Sequence, residues 1–319
     1  MRPSASCRCP SPPIASPPLR LRLPSPRRLR LALLLALASS LPPAAAVPPL
    51  HPSRAPLRTL RLPSASAAPL LARVPHDDAV LEALLASAHA DALAAGEASY
   101  DDAMAAICSR RLAARPAYWA QPWPCALALA ACVADRPALV RGRAALELGA
   151  GLGLVAVGAA RAGAARVVGT DREAAALPFI SRNAKENGVP PGVLVTALLD
   201  WSSPDPMASL QRSLSLPAPP TFDVVLCSDC LYDETAPPLL ASLLHAAVAP
   251  GGACLFTDNA DRPYADARRA ALLSLLCDQG DFEMEERSRT AVEIETLQGN
   301  RFDIELCIVR RTGTNRTQL

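Results

Sequence analysis

Leu146-Glu147-Leu148-Gly149-Ala150-Gly151-Leu152-Gly153 is the stretch that decides the fold. An apolar run carries one acid and then breaks into three glycines at alternate positions. A helix-like segment, Leu154 to Ala162, follows. The pattern reads as a buried strand that ends in a glycine-rich turn and re-enters a helix. Glycines let the backbone pass close to a ligand where a Cβ would clash. The helix start behind them offers unpaired N–H groups.

Two ligand classes suit such a turn. Gly151-x-Gly153-x-x-Ala156 fits the dinucleotide fingerprint Gly-x-Gly-x-x-Gly/Ala. Glu147 argues the other way, because an acid two residues before the first glycine repels a pyrophosphate and attracts an ammonium. S-adenosylmethionine carries an ammonium on its methionine end, so Glu147 favours that cofactor. Asp171 closes a second strand, 166–171, where a carboxylate can grip ribose hydroxyls. Both cofactors contain a ribose, so the glycine motif alone leaves a nicotinamide-dinucleotide oxidoreductase open beside a methyl-donor site.

Outward from this stretch, strands and helices alternate. Strands are expected at 144–148, 166–171, 193–199, 222–228 and 252–257, and helices at 154–162, 172–186, 236–248 and 264–277. Alternation of this kind predicts a parallel sheet with helices on both faces. Pro250-Gly251-Gly252 marks a sharp turn into the fifth strand, and 202–221, rich in Ser and Pro, reads as a loop with a short helix. Phe282–Ser288 and Asp303–Val309 are extended with no helix between them. A turn at Gln298-Gly299-Asn300 makes them an antiparallel hairpin. On the N-terminal side, helices are expected from Asp77 through Leu85, from Asp101 to Ala114 and from Cys125 to Ala134. Between the last two, Ala117–Pro124 holds two of the three tryptophans, either as core anchors or as a pocket wall.

The chain has 319 residues and a formal net charge of +2, which conceals an asymmetry. Residues 1–73 contain 11 arginines and no Asp or Glu. The remainder holds 21 basic against 30 acidic residues, a net of −9. So acidic a body is a poor generic nucleic-acid binder and suits a basic, lysine-bearing protein surface better. The acid-poor, Arg/Ser/Pro-rich start reads as an organelle transit segment. Inside it, Arg27-Arg28-Leu29-Arg30 precedes the apolar run Leu31–Ala38, too short for a membrane span of about 20 residues. A plastid address is favoured, with the mitochondrion as alternative. The expected division is a leader over 1–73, a helical extension over 74–135 and the cofactor-binding domain over 136–312. Lys185 is the single lysine, which excludes mechanisms needing two. Of the ten cysteines, Cys7 and Cys9 lie in the leader and the rest scatter through apolar segments as buried thiols do.

Several motifs together resemble the seven-β-strand protein-lysine methyltransferases. They are Tyr118-Trp119-Ala120-x-x-Trp123-Pro124; Glu147-x-Gly149-x-Gly151-x-Gly153; Leu199-Asp200-Trp201; and Asp229-Cys230-Leu231-Tyr232. The first and Asp258-Asn259-Ala260-Asp261-Arg262-Pro263 look most like the subfamily acting on the electron-transfer-flavoprotein β-subunit. Cys125-Ala126 stand where that subfamily has paired glycines. The resemblance, over roughly 112–311, implies a Rossmann-like seven-stranded class I methyltransferase sheet finished by an antiparallel C-terminal hairpin. It implies S-adenosylmethionine as cofactor, no metal, and a protein lysine as acceptor; a small-molecule N- or O-methyltransferase on the same fold is the alternative. The cofactor would be held by Trp119, Glu147, Gly149, Gly151, Gly153, Asp171, Asp200, Trp201 and Ser228. Asp229 would dock the incoming lysine and Tyr232 would wall it in. Cys227 and Cys230 become neighbours of the site and not a redox pair.

Overall fold

The computed structural model describes residues 51–64, 67–75, 118–278, 280–294 and 300–313. The helices expected at 77–85 and 101–114 lie outside these residues, as do the apolar run 31–38 and the Gln298-Gly299 turn.

A short antiparallel hairpin, β1 (Leu57–Leu60) and β2 (Leu70–Arg73), precedes helix α1 (Pro124–Asp135). The alternating body then runs β3 (Ala144–Leu148), α2 (Leu154–Arg161), β4 (Arg166–Asp171), α3 (Leu177–Glu186) and β5 (Leu194–Leu198). It continues through α4 (Pro206–Ser213), β6 (Phe222–Ser228), α5 (Ala236–Ala247), β7 (Val248–Asn259) and α6 (Ala265–Cys277). β8 (Phe282–Ile294) and β9 (Asn300–Arg311) finish it. The seven-stranded sheet has the order β5-β4-β3-β6-β7-β9-β8. Strands β3 to β7 pair in parallel, and β9 lies antiparallel between β7 and β8. This is the class I methyltransferase sheet.

Residues alternate across the sheet as the pleat requires. Val224 and Leu226 of β6 face a cluster with Leu129 and Val133 of α1 and Val155 and Ala159 of α2. Val225 and Cys227 face the opposite cluster, with Leu240 and Leu244 of α5 and Leu272 and Leu276 of α6. α3 begins later than expected. Pro178 sits in its first turn, and residues 172–176 turn instead under Asp171, whose Oδ1 accepts from the Glu173 amide at 2.9 Å. Pro250-Gly251-Gly252 lies inside β7 beside a register shift against β6, so the expected turn is an irregularity of the strand.

The hairpin corrects the boundary drawn at residue 73. Leu60, Leu62, Leu70, Ala72 and Val74 are buried in one cluster with Trp119, Leu152 and Phe179. Two amides of α3 hold its backbone. The Asn187 side chain donates to Leu71 O (2.7 Å) and accepts from Leu71 N (3.0 Å); Asn183 Oδ1 accepts from Arg73 N (2.5 Å). Alternation over only four residues, set in an Arg/Pro/Ala-rich context, is too short a signal to stand out from a leader.

Candidate active site

A cleft of about 460 Å³ opens at the C-terminal ends of β3, β4 and β6, a volume typical of small-molecule sites, which run to roughly 300–1,000 Å³. β3 has β4 on one side and β6 on the other. The chain's connections reverse there, and such switch points are where open α/β sheets bind ligands.

At one end the wall is the loop 149–153. Ala150 N donates to Thr170 O (2.8 Å), and Gly151 N donates to Asp171 Oδ2 (2.8 Å). Gly151 has φ +51°, and a Cβ there would fall 2.9 Å from the Trp119 carbonyl oxygen. Gly153, with φ +75°, would place a Cβ 2.7 Å from the Ile180 side chain. It shapes the loop without lining the cleft. Gly149 does line it, beneath the Trp201 indole.

Glu147 differs from expectation. It is fully buried, and its Oε2 accepts from Ala156 N (2.7 Å) in the first turn of α2. It does not line the cleft, so the direct ammonium contact expected of it is corrected. Burial, helped by the nearby Asp171 charge, pushes its carboxyl up to about 8. Its Oε1 has no hydrogen-bond partner. The acid acts from behind the loop, and it occupies an amide that an anion at the helix start would use.

Asp171 lines the cleft, and burial pushes its carboxyl upward. Each oxygen already accepts one amide. A carboxylate offers about four lone-pair sites, so capacity for hydroxyl donors remains. Asp200 Oδ1 accepts from Ser202 N (2.9 Å) and Oγ (2.7 Å), which fixes the turn presenting Trp201. Trp119 and Ser228 also line the cleft.

The other end is built from side chains. Asp229 follows β6 with φ +56°, its amide bonded to Thr257 O at 2.8 Å. The carboxylate is nearly buried and is not open to solvent as a lone acid. Arg262 donates to both of its oxygens, at 2.5 and 2.7 Å. The Arg262 guanidinium also stands 5.9 Å from the Trp123 ring centroid. Tyr118 lies 5.9 Å from Trp123 and 5.3 Å from Tyr232, centroid to centroid. Trp123 Nε1 donates to Tyr118 O at 2.7 Å, which locks the two together. All three of the chain's tryptophans line this one cleft. Arg262, Tyr118 and Tyr264 were not among the expected site residues. A position just past the fifth strand's C-terminal end was the available signal for Arg262. Cys230 is a buried thiol whose Sγ lies 3.4 Å from Leu148 O. Like Cys227 it carries no disulfide.

Residues 122–268 match a family model described as lysine methyltransferase. The family resemblance holds over that segment. The chain is 32% identical to the mouse (Mus musculus) electron transfer flavoprotein beta subunit lysine methyltransferase over 128 residues, 40% of this chain and 43% of that protein. It is 37% identical to the zebrafish (Danio rerio) protein N-lysine methyltransferase METTL21A over 110 residues, 33% of this chain and 45% of that one. The matches thus span less than half the length of these relatives. Among solved structures, it superposes on the magnesium protoporphyrin IX methyltransferase of Synechocystis with TM-score 0.42 at 17% identity, covering 58% of this chain and 76% of that one.

The lining fits S-adenosylmethionine better than a dinucleotide. Among the described residues, the basic ones in the lining are Arg172, which pairs with Glu173 at 3.4 Å, and Arg262, which pairs with Asp229. A pyrophosphate at the glycine loop would meet Asp171 in the lining and Glu147 behind it. A ligand with a ribose and a flat base meets Asp171 and the Trp201 face in the lining.

Proposed function

We propose that the protein transfers a methyl group from S-adenosylmethionine to a lysine side chain of a protein. The observation that carries this is the pairing, in one cleft, of a loop shaped by glycines and bounded by acids with an aromatic mouth on the far side of Asp229. The lysine methyltransferase family match over 122–268 supports it. When bound, the cofactor supplies an electrophilic methyl group on a sulfonium.

The chain's own residues do the rest. On this reading Asp171 takes the ribose hydroxyls and Trp201 the base, while Glu147 acts only by holding the start of α2 behind the glycine loop. Asp229 and Tyr232 face the acceptor. In-line displacement needs an aligned, neutral nitrogen. A lysine has a pKa of about 10.4, so presenting it neutral near pH 7 costs about 4–5 kcal/mol. Tyr118 and Tyr232, both more than a third exposed and packed ring against ring 5.3 Å apart, form one aromatic wall against which an alkyl chain can lie. Rings of this kind also attract cationic methylated products.

The test is incubation of the protein with methyl-labelled S-adenosylmethionine and a cell extract. Label is expected in one or a few polypeptide bands, on lysine. Label confined to small molecules would overturn the protein-acceptor reading, and binding of NADH without S-adenosylmethionine would overturn the cofactor. We further propose that the acid-free, Arg/Ser/Pro-rich start directs the protein to an organelle, with the plastid favoured over the mitochondrion. A fluorescent reporter fused behind residues 1–50 that stayed diffuse in the cytosol would contradict this.

A further inference from the structure

The Asp229–Arg262 pair stands where the acceptor enters, and its chemistry differs from that of a lone acid. A solitary carboxylate would hold a lysine as its ammonium, the form with no lone pair to give. Here both oxygens of Asp229 are bound by the Arg262 guanidinium. Of the other charged and titratable groups near the pair, Asp233 also lines the cleft, its Oδ1 accepting from Thr235 N (3.0 Å) and Oγ (2.8 Å). Burial pushes the Cys125 thiol of α1 up, and the Cys227 neighbour together with burial does the same to Cys230. Tyr232 and Tyr264 line the cleft beside the pair. Asp258 of β7 is engaged by Arg269, which also pairs with Asp266 and Glu305. The Asp229–Arg262 pair itself therefore carries no net charge, and a bound sulfonium would add a positive one.

We propose that Arg262 is a positioning residue that acts through Asp229: it cancels the carboxylate's charge so that the site selects the neutral amine and rejects the ammonium. This rests on the amine-acceptor reading above. The acceptor leaves its proton in bulk water before it enters. Its nitrogen lone pair then forms the N–C bond while the C–S bond breaks with its electrons left on sulfur. The new ammonium sheds one proton to water. Asp229 keeps lone-pair capacity to accept an N–H from the amine and aim its lone pair. The aromatic mouth holds the alkyl stem.

n-Butylamine, a lysine side-chain mimic, tests this on the full chain with S-adenosylhomocysteine bound. Binding is read by tryptophan fluorescence between pH 6 and 11, since every tryptophan lines the cleft. For the wild type, apparent affinity is expected to rise about tenfold per pH unit above pH 7 and to level off near the amine's pKa, about 10.4 for a lysine-like group. Arg262→Gln leaves Asp229 unpaired. It should bind at least tenfold tighter at pH 7, with a flat profile up to that pKa. The double variant Asp229→Asn/Arg262→Gln carries neither charge and should regain the rising profile. It also decides the matter if Arg262→Gln alone fails to bind S-adenosylhomocysteine. A flat wild-type profile, or a flat double-variant profile, overturns the role of Arg262 while amine binding itself persists. No amine binding to any of the proteins at any pH overturns both this role and the amine-acceptor reading.

Discussion

At the glycine-loop end of the cleft the wall is main chain, held in place by consecutive residues. Residues 149–153 are pinned to β4 by backbone and carboxylate hydrogen bonds, and to α3 by Asn183. At the Asp229 end the wall is side chains gathered from three separate segments: Tyr118 and Trp123, Asp229 and Tyr232, and Arg262 with Tyr264. A wall of backbone binds by shape and does not adapt. A wall of aromatic rings and one ion pair can be retuned by single substitutions without disturbing the sheet. The first end suits an invariant cofactor, the second a particular acceptor.

The division is sharpest where a single atom should break one end. Gly151→Ala adds a Cβ 2.9 Å from the Trp119 carbonyl in a backbone conformation that L side chains rarely adopt. S-adenosylmethionine binding, measured by calorimetry, is expected to fall by about a hundredfold or more, since strain and loop displacement add. Asp171→Ala should weaken S-adenosylmethionine, S-adenosylhomocysteine and adenosine alike by about tenfold to a hundredfold, the worth of one charged hydrogen bond. Equal affinity for adenosine before and after would remove Asp171 from the ribose.

The hairpin β1–β2 lies under the cofactor end and should be felt there. Asn183 both accepts from Arg73 N and donates to Leu152 O in the glycine loop, at 2.9 Å. A chain beginning at Val74 loses the buried Leu60, Leu62, Leu70 and Ala72. It should melt on the order of 10 °C lower than one beginning at Val47. Matching melting temperatures would show that the hairpin adds nothing.

Glu147 sets a smaller, pH-dependent effect. Its carboxyl is pushed up to about 8 in the fold, against about 4.3 in an unfolded chain. Between those values the folded state binds more protons, so Glu147 contributes stability that is present at low pH and lost as pH rises toward 8. Glu147→Gln should flatten that decline in melting temperatures taken from pH 5 to 8. An unchanged slope would mean the carboxyl is ionised in the fold. At the acceptor end, Tyr232→Phe keeps the ring and should lower methyl transfer only a few-fold, less than Tyr232→Ala.

The sheet was legible because its signal is local and repeated: strand, turn and helix recur, and the glycine run marks the first switch point. The lining of the glycine-loop end was legible for the same reason, since Gly149, Gly151, Asp171, Asp200 and Trp201 each stand at the end of a readable strand and all line the cleft. Two things were not. Glu147 looked like a ligand by spacing, yet a strand end can turn its side chain inward to cap the following helix, and spacing does not tell the two apart. Arg262 was hidden because its partner, Asp229, is 33 residues away; only the β6–β7 pairing brings them together. The β1–β2 hairpin was hidden by its four-residue strands and by the arginine-rich composition around them.

The two ends separate most directly in a paired measurement on Asp171→Ala and Asp229→Asn, with asparagine chosen because it tolerates the positive φ at 229. The S-adenosylmethionine dissociation constant and the rate of methyl transfer to protein lysine are taken on the same preparations. Asp171→Ala should lose affinity by tenfold or more. Asp229→Asn should keep the dissociation constant within a few-fold of the wild type and lose most of its transfer. If Asp229→Asn instead lost binding and transfer in equal proportion, Asp229 would be part of the cofactor site, and the division of the cleft into cofactor and acceptor ends would be wrong.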